Sequence, residues 1–280
     1  MSHPILERLA SNDPSERRAA CLAAAQDPSA TLLTEALSTA LGDPVKAVGR
    51  AASDALVEIA RSPAPADGPG EGVDGAVRLA LHSDHPARRW RAAFTAARLE
   101  PPTPRLLPAL VEGLASGDGD VRWAAAKVIV DMGRLHGEVL AVLIGLVRSG
   151  ESPVVRRMAT FALRELAPDR SEAADVLLDA ADDDDLQVRR AALTAMASLQ
   201  GPPARVGEQL LATFQGDADG PARRLAALAL GEIGAQDSER VPVETQTELE
   251  RCFATAPEDP DLRRAVEKAL ARLRAGRPGA

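Results

Sequence analysis

The sequence predicts an all-α chain, a right-handed α-solenoid (an alpha-alpha superhelix) of about eight helix pairs. Three observations predict it. An Arg-anchored, Ala-rich element recurs at a nearly constant interval. Segments with apolar residues every three or four positions alternate with it. Short breaks rich in Gly, Asp, Ser and Pro separate the two. Composition agrees: apolar residues make up 45% of the chain, aromatics 2%, and Tyr is absent. A core of Leu, Val and above all Ala suits closely packed helices and disfavours a β-rich fold.

The repeat is clearest at Val121-Arg122-Trp123-Ala124-Ala125, Val155-Arg156-Arg157-Met158-Ala159, Val188-Arg189-Arg190-Ala191-Ala192 and Ala222-Arg223-Arg224-Leu225-Ala226, with Ala87-Arg88-Arg89-Trp90 as a fifth copy. The anchors Arg89, Arg122, Arg156, Arg189 and Arg223 lie 33, 34, 33 and 34 residues apart. Ten residues after each anchor stands an apolar residue: Leu99, Met132, Leu166, Leu199 and Ile233. Degenerate copies flank these at Glu16-Arg17-Arg18-Ala19-Ala20, Val48-Gly49-Arg50 and Leu262-Arg263-Arg264, as expected of terminal repeats that cap a stack. The array is read as one solenoid over 1–275, with repeats near 2–27, 29–61, 72–100, 103–134, 136–167, 170–200, 203–235 and 242–275. A Pro/Gly-rich loop is expected at 63–75, a second insertion at Gln236–Pro242, and a flexible tail at 276–280.

Within each repeat the first helix is amphipathic, as in Leu106, Leu107, Leu110, Val111 and Leu114, or Val139, Leu140, Leu143, Leu146 and Val147. A turn such as Gly216-Asp217-Ala218-Asp219-Gly220 follows. Asp120, Ser152, Asp185, Asp219 and Asp259 are expected to cap the second, Ala-rich helix.

The turn acid, the Val-Arg pair and the Ala-Ala-x-x-Ala-Leu run, as in Asp183 through Leu199, resemble the HEAT-repeat family, and in particular bacterial HEAT-like repeats of the phycobilisome-lyase type. The resemblance covers roughly 10–274. It implies a convex face of first helices, a concave face of second helices and a continuous core between them. It also implies a structural role for Arg89, Arg122, Arg156, Arg189 and Arg223, bonding turn acids and carbonyls of the neighbouring repeat. Asp43, Asp183 and Asp217 match the family's turn acid; Ser83, Ser116 and Gly150 depart from it.

With the anchor as zero and 100° per residue, positions +1, +5 and +8 fall opposite the apolar stripe. Position +1 holds Arg50, Trp90, Trp123, Arg157, Arg190, Arg224 and Arg264; position +5 holds Asp54, Phe94, Lys127, Phe161, Thr194, Leu228 and Lys268. Of the six aromatic residues in the chain, Trp90, Phe94, Trp123 and Phe161 fall in these columns. Two readings fit. Trp90, Phe94, Trp123, Lys127, Arg157, Phe161, Arg190 and Arg224 form a contact strip, since Trp and Arg dominate interface hot spots. Alternatively, the aromatic residues fill gaps between repeats built from small Ala.

The expected function is that of a protein-interaction scaffold or adaptor, binding a partner protein or peptide in the groove; an acidic partner would suit the Arg stripe. The alternative is a HEAT-like enzyme or enzyme subunit, similar to bilin lyases or DNA alkylation-repair glycosylases, using the same groove for an anionic ligand. Self-association or a purely architectural role is a third reading. No catalytic residue, cofactor or metal site is expected: no phosphate loop or nucleophile elbow occurs. His82-Ser83-Asp84-His85 and the acidic run 182–185 read as turn and capping residues. The net charge of −8 disfavours nucleic acid. Cys21 and Cys252, expected as buried small apolar residues, form no disulfide framework. With no span of about 18 apolar residues, a cytoplasmic protein without membrane contact is expected.

Overall fold

The computed structural model describes residues 3–62, 70–169, 171–255 and 259–276. These residues form sixteen α-helices in eight consecutive pairs, and no strand occurs among them. The fold is an all-α solenoid of paired helices.

The chain divides into two compact units, 1–136 and 137–280. In the first lie α1 (Pro4–Leu9), α2 (Pro14–Ala24), α3 (Thr34–Ala40), α4 (Lys46–Arg61), α5 (Gly70–Leu81), α6 (Pro86–Leu99), α7 (Leu107–Leu114) and α8 (Gly119–Leu135). The even-numbered helices pack side by side in sequence order, while α1, α3 and α5 form the other layer. The second unit holds α9 (Glu138–Ser149), α10 (Pro153–Leu166), α11 (Ser171–Ala181), α12 (Leu186–Met196), α13 (Ala204–Gly216), α14 (Gly220–Gln236), α15 (Thr245–Ala254) and α16 (Pro260–Ala275). Here too α10, α12, α14 and α16 pack in a row, and α9, α11 and α13 in another.

Every second helix except α4 starts abruptly because its first turn is capped, its early φ is preset, or both. Asp13, Asp118, Ser152, Asp185, Asp219 and Asp259 accept backbone N–H bonds at their helix starts. Pro occupies an early position in α2, α6, α10, α14 and α16, where its missing N–H costs nothing. One expected cap is corrected. Asp118 caps α8, its Oδ1 accepting from Asp120 N at 2.9 Å, and Asp120 sits in the first turn. Gly119 lets the chain turn into the helix one residue after Asp118, leaving the Asp120 side chain outside.

The expected loop at 63–75 is also corrected. Residues 63–69 lie outside the described residues, but α5 begins at Gly70. Val73, Val77 and Ala80 are buried beneath it. That burial outweighs the poor helix propensity of Gly72 and Gly75. The insertion at 236–242 holds a short 3₁₀ turn, Ser238–Arg240, tied to the preceding repeat by Arg240 Nη1 donating to Pro202 O at 3.1 Å. Residues 277–280 of the expected tail lie outside the described residues.

Leu residues of the first helices and Ala residues of the second make the core. Leu37, Leu110, Leu143, Leu177 and Leu210 are fully buried, as are Ala52, Ala92, Ala125, Ala159, Ala192 and Ala226. Of the closing apolar residues, Met132, Leu199 and Ile233 are buried, and Leu99 and Leu166 are half-buried. Small side chains let second helices approach closely. A very tight approach lies in the second unit, where a Cβ on Gly231 of α14 would lie 2.5 Å from Ala269 Cα of α16. Backbone cannot give way there as a side-chain tip can. Gly231→Ala is therefore expected to lower stability by about 1–3 kcal/mol, although Ala has the better helix propensity. Chemical denaturation measures this; a neutral or stabilising result would show that α14 and α16 do not pack at this distance.

Candidate functional site

The turn between the first helix (A) and the second helix (B) of a repeat, the A–B turn, has backbone carbonyls that neither helix satisfies, so something must satisfy them. Arg at the anchor column does so. Arg17, Arg89, Arg122, Arg156 and Arg189 each donate Nη1 to the carbonyl six residues earlier, at Ser11 (2.9 Å), Ser83 (2.6 Å), Ser116 (2.6 Å), Gly150 (3.0 Å) and Asp183 (2.9 Å). Arg223 instead donates Nε to Phe214 O at 2.9 Å.

In several repeats the rest of the guanidinium reaches the following repeat. Arg17 grips Asp43 with two bonds (2.6 and 3.1 Å), and Arg156 grips Asp183 likewise (2.7 and 2.9 Å). Arg89 takes Glu112 at 2.9 and 3.0 Å. Further along, the gripping Arg moves to position +1: Arg190 holds Asp219 (2.8 and 2.6 Å) and Arg224 holds Asp259 (2.9 Å). Two-pronged Arg–carboxylate bonds are among the strongest in proteins and fix orientation as well as distance. Asp217, which matches the turn acid, pairs with no Arg among the described residues; its Oδ1 accepts from Asp219 N at 2.7 Å. The Arg156 bond holds the Asp183 carboxyl below its ordinary value, and the Arg190 bond does the same for Asp219.

Repeat two breaks the pattern, with Gly49 in the anchor column. Its guanidinium comes from the following repeat. Arg91 of α6 lays its side chain over Gly49, and its Nη1 donates to Leu41 O (2.5 Å) and to Asp43 O (3.0 Å). Asp43 is the residue six before Gly49, so Arg91 fills the role of the missing anchor. A Cβ on Gly49 would lie 2.7 Å from the Arg91 guanidinium carbon. Arg91 is only 9% exposed, and burial pushes its pKa below the ordinary Arg value despite nearby Asp43 and Asp118.

Around Arg91 a cleft of about 360 Å³ opens between α4, α6 and α8. It is lined by Lys46, Gly49, Arg50, Ser53 and Asp54 of α4, by Trp90, Arg91, Phe94 and Arg98 of α6, and by Asp120, Val121 and Ala124 of α8. Trp90 and Phe94 are half-buried, with ring centres 6.1 Å apart and planes tilted by 53°. The Arg91 guanidinium lies 5.7 Å from the Trp90 ring centre, and that of Arg98 5.8 Å from Phe94. Arg98 also bonds Asp54 at 2.8 Å and donates to Ser53 Oγ at 3.0 Å. At the rim, Lys46 Nζ meets Asp118 at 2.8 Å and also pairs with Asp120.

The remaining predicted residues do not line this cleft. Trp123, on α8, is 55% exposed. Lys127 is 75% exposed at its side chain and pairs along its own helix with Asp131 at 2.9 Å. In the second unit, Phe161 is half-buried with the Arg164 guanidinium 5.6 Å from its ring centre. Arg157 is half-buried and its Nε has no hydrogen-bond partner. Arg190 and Arg224, expected to point freely away from the core, are instead occupied by Asp219 and Asp259, because a +1 side chain leans far enough toward the next turn to reach its N-cap. Column reading at +1, +5 and +8 missed Arg91 and Arg98, which stand at +2 and +9. The signal for Arg91 was present: an anchor missing at Gly49, and one Arg too many in Arg88-Arg89-Trp90-Arg91.

Among the described residues no three His, Cys, Asp or Glu side chains converge as a metal-binding group, and no helix is long and apolar enough to cross a membrane. Cys21 is buried, which pushes its thiol up to about 11; Cys252 is only partly covered.

The profile of HEAT repeats matches residues 73–164 and 140–231. The chain belongs to the HEAT-repeat family. Solved structures agree on the fold. Importin β superposes with a TM-score of 0.63 at 18% identity over 99% of this chain, which spans 41% of importin β. Kap95p, solved with RanGDP, superposes at 0.61 with 15% identity over 96% of this chain and 39% of its own. The Escherichia coli protein YibA superposes at 0.56 with 17% identity, covering 96% of this chain and 91% of its own. This HEAT chain thus spans about two fifths of the two larger structures, importin β and Kap95p. None of the curated proteins matches its sequence.

The turn arginines generate two predictions. Gly49→Ala should destabilise the wild type by about 1–3 kcal/mol, because the Arg91 guanidinium must leave its carbonyls. In an Arg91→Ala background the same change should stabilise by about 0.5–1 kcal/mol, through helix propensity. A double-mutant cycle by urea unfolding reads the reversal of sign, and equal effects in both backgrounds would refute the substitution of Arg91 for the missing anchor. The second concerns acid. The Asp183 pKa is depressed in the folded state, so its contribution is present above the unfolded value near ~4 and is lost as pH falls through the folded one. The gap in Tm between wild type and Asp183→Asn should therefore be widest near neutral pH and close as the pH drops below about 4. A gap independent of pH would show that the pair with Arg156 is not formed in solution.

Proposed function

We propose that this HEAT chain is a protein-interaction scaffold, and that the face formed by α4, α6 and α8 receives a partner protein. The observation that supports it best is the Trp90–Phe94 pair, half-buried at the wall of an open cleft and flanked by Arg side chains. Aromatic rings that are neither fully packed nor dispersed singly over the surface, with Arg beside them, are the residues on which binding energy concentrates. Trp123 extends this face on α8. Arg157 and Phe161 are the corresponding candidates on α10.

The family supports the same reading. Kap95p, a protein of this fold, binds RanGDP and induces its switch loops to adopt the GTP-bound conformation. Charge pairing in the cleft also favours binding over catalysis. Asp54 is held by Arg98 and Asp120 by Lys46, so neither lining carboxylate stands ready as a general base.

The test is affinity capture with the wild type and with Trp90→Ala/Trp123→Ala, after circular dichroism and thermal melting show both equally folded. The wild type should retain a partner that the variant loses by about tenfold or more, as expected for hot-spot residues. Identical capture by both would move the binding surface elsewhere. Co-purification of a pigment, or salt-sensitive binding of DNA that needs Trp90, would favour an enzyme of the same fold.

A further inference from the structure

The charges that line the cleft do not balance. Lys46 is matched by Asp118 and Asp120, and Arg98 by Asp54. Arg50 and Arg91 have no carboxylate within ion-pair distance among the described residues. Arg50 is exposed. Arg91 is buried and spends its bonds on two neutral carbonyls, and the nearby Asp43 carboxylate is gripped by Arg17. Two unmatched guanidiniums thus share one small cleft on a chain whose net charge is −8. A buried cation with no carboxylate in contact is unfavourable even with Asp43 and Asp118 nearby, and a ligand that brings one relieves it.

The neighbouring wall is aromatic. Trp90 and Phe94 offer an apolar surface beside the unmatched charge. At about 360 Å³ the cleft is at the small end of ligand sites, sized for a few side chains rather than a folded domain.

We propose that the cleft takes a short acidic–apolar segment of the partner. An aliphatic or aromatic side chain seats against Trp90 and Phe94, and an adjacent Asp or Glu carboxylate faces Arg50 and Arg91. This rests on the scaffold reading above and names the class of partner. Carboxylate is favoured over a nucleic-acid backbone because the chain as a whole carries a net charge of −8. That charge repels a ligand with a charge at every phosphate more strongly than a segment with one or two carboxylates.

Trp90 and Trp123 are the only Trp residues, so Trp123→Phe leaves Trp90 as the sole reporter of the cleft. Its fluorescence is titrated with blocked hexapeptides: one in which Leu is flanked by Asp and Glu, one with that Leu replaced by Gly, and one with the acids replaced by Lys. Inorganic phosphate and oligothymidylate are the further probes. A saturable change with the acidic Leu peptide alone supports the proposal. That binding should weaken about tenfold or more with Arg50→Glu, an exposed position that should not affect folding, and should also weaken as salt rises from about 0.05 to about 0.3 M. Equal binding of the Lys peptide, tighter binding of oligothymidylate or phosphate, indifference to Arg50→Glu, or no response up to about millimolar peptide would each overturn it. If capture of a protein depends on Trp90 while the acidic peptides fail, the acidic class is wrong and the scaffold stands. If capture and peptides both fail, the scaffold reading falls with it.

Discussion

The guanidinium at the A–B turn is the interaction on which the other features depend. A solenoid has no central core to hold its turns in place; each repeat is held only by its neighbours. At such a turn a planar, charged group does two things at once. It satisfies a turn carbonyl of its own repeat, and in several repeats it grips a carboxylate of the next. Lys could supply the charge but not the fork, so an Arg-rich, Lys-poor composition is what this way of joining repeats requires.

The same constraint explains the irregularities. Where the anchor is Gly49, the turn still needs a donor, and Arg91 crosses from α6 to provide one. Room for that crossing exists because Gly49 has no side chain. The consequence is a buried cation beside Trp90, on the wall of the cleft. After Arg156 and Asp183 the carboxylate moves from the turn acid to the N-cap, and the gripping Arg moves from the anchor to the next position. Both arrangements place a charge-assisted link between one repeat and the next.

Function follows from where such links leave groups unspent. Arg190 and Arg224 are used by the fold. Lys127 pairs along its own helix. In the first unit, by contrast, aromatic rings and unmatched guanidiniums share one opening. That concentration is why the proposed binding site lies among α4, α6 and α8 and not along the whole row of second helices.

Periodicity was enough to determine the helix pairs and their order, because spacing along a helix maps directly onto direction around it; the structural role of the anchors came only from the family resemblance. Periodicity was also enough to place Trp90 and Phe94 on one face, four residues apart. Tertiary structure alone decided how each Arg is spent. A long, flexible side chain can reach a turn carbonyl, a neighbouring acid or solvent from nearly the same backbone position, and the choice depends on atoms contributed by another repeat. For that reason Arg91, one position beyond the groove column that holds Trp90, became the cleft's buried charge, while Arg190 and Arg224, within that column, were drawn to the caps of the next helices. Helical angle sets where a side chain starts, and the neighbouring helix sets where it ends.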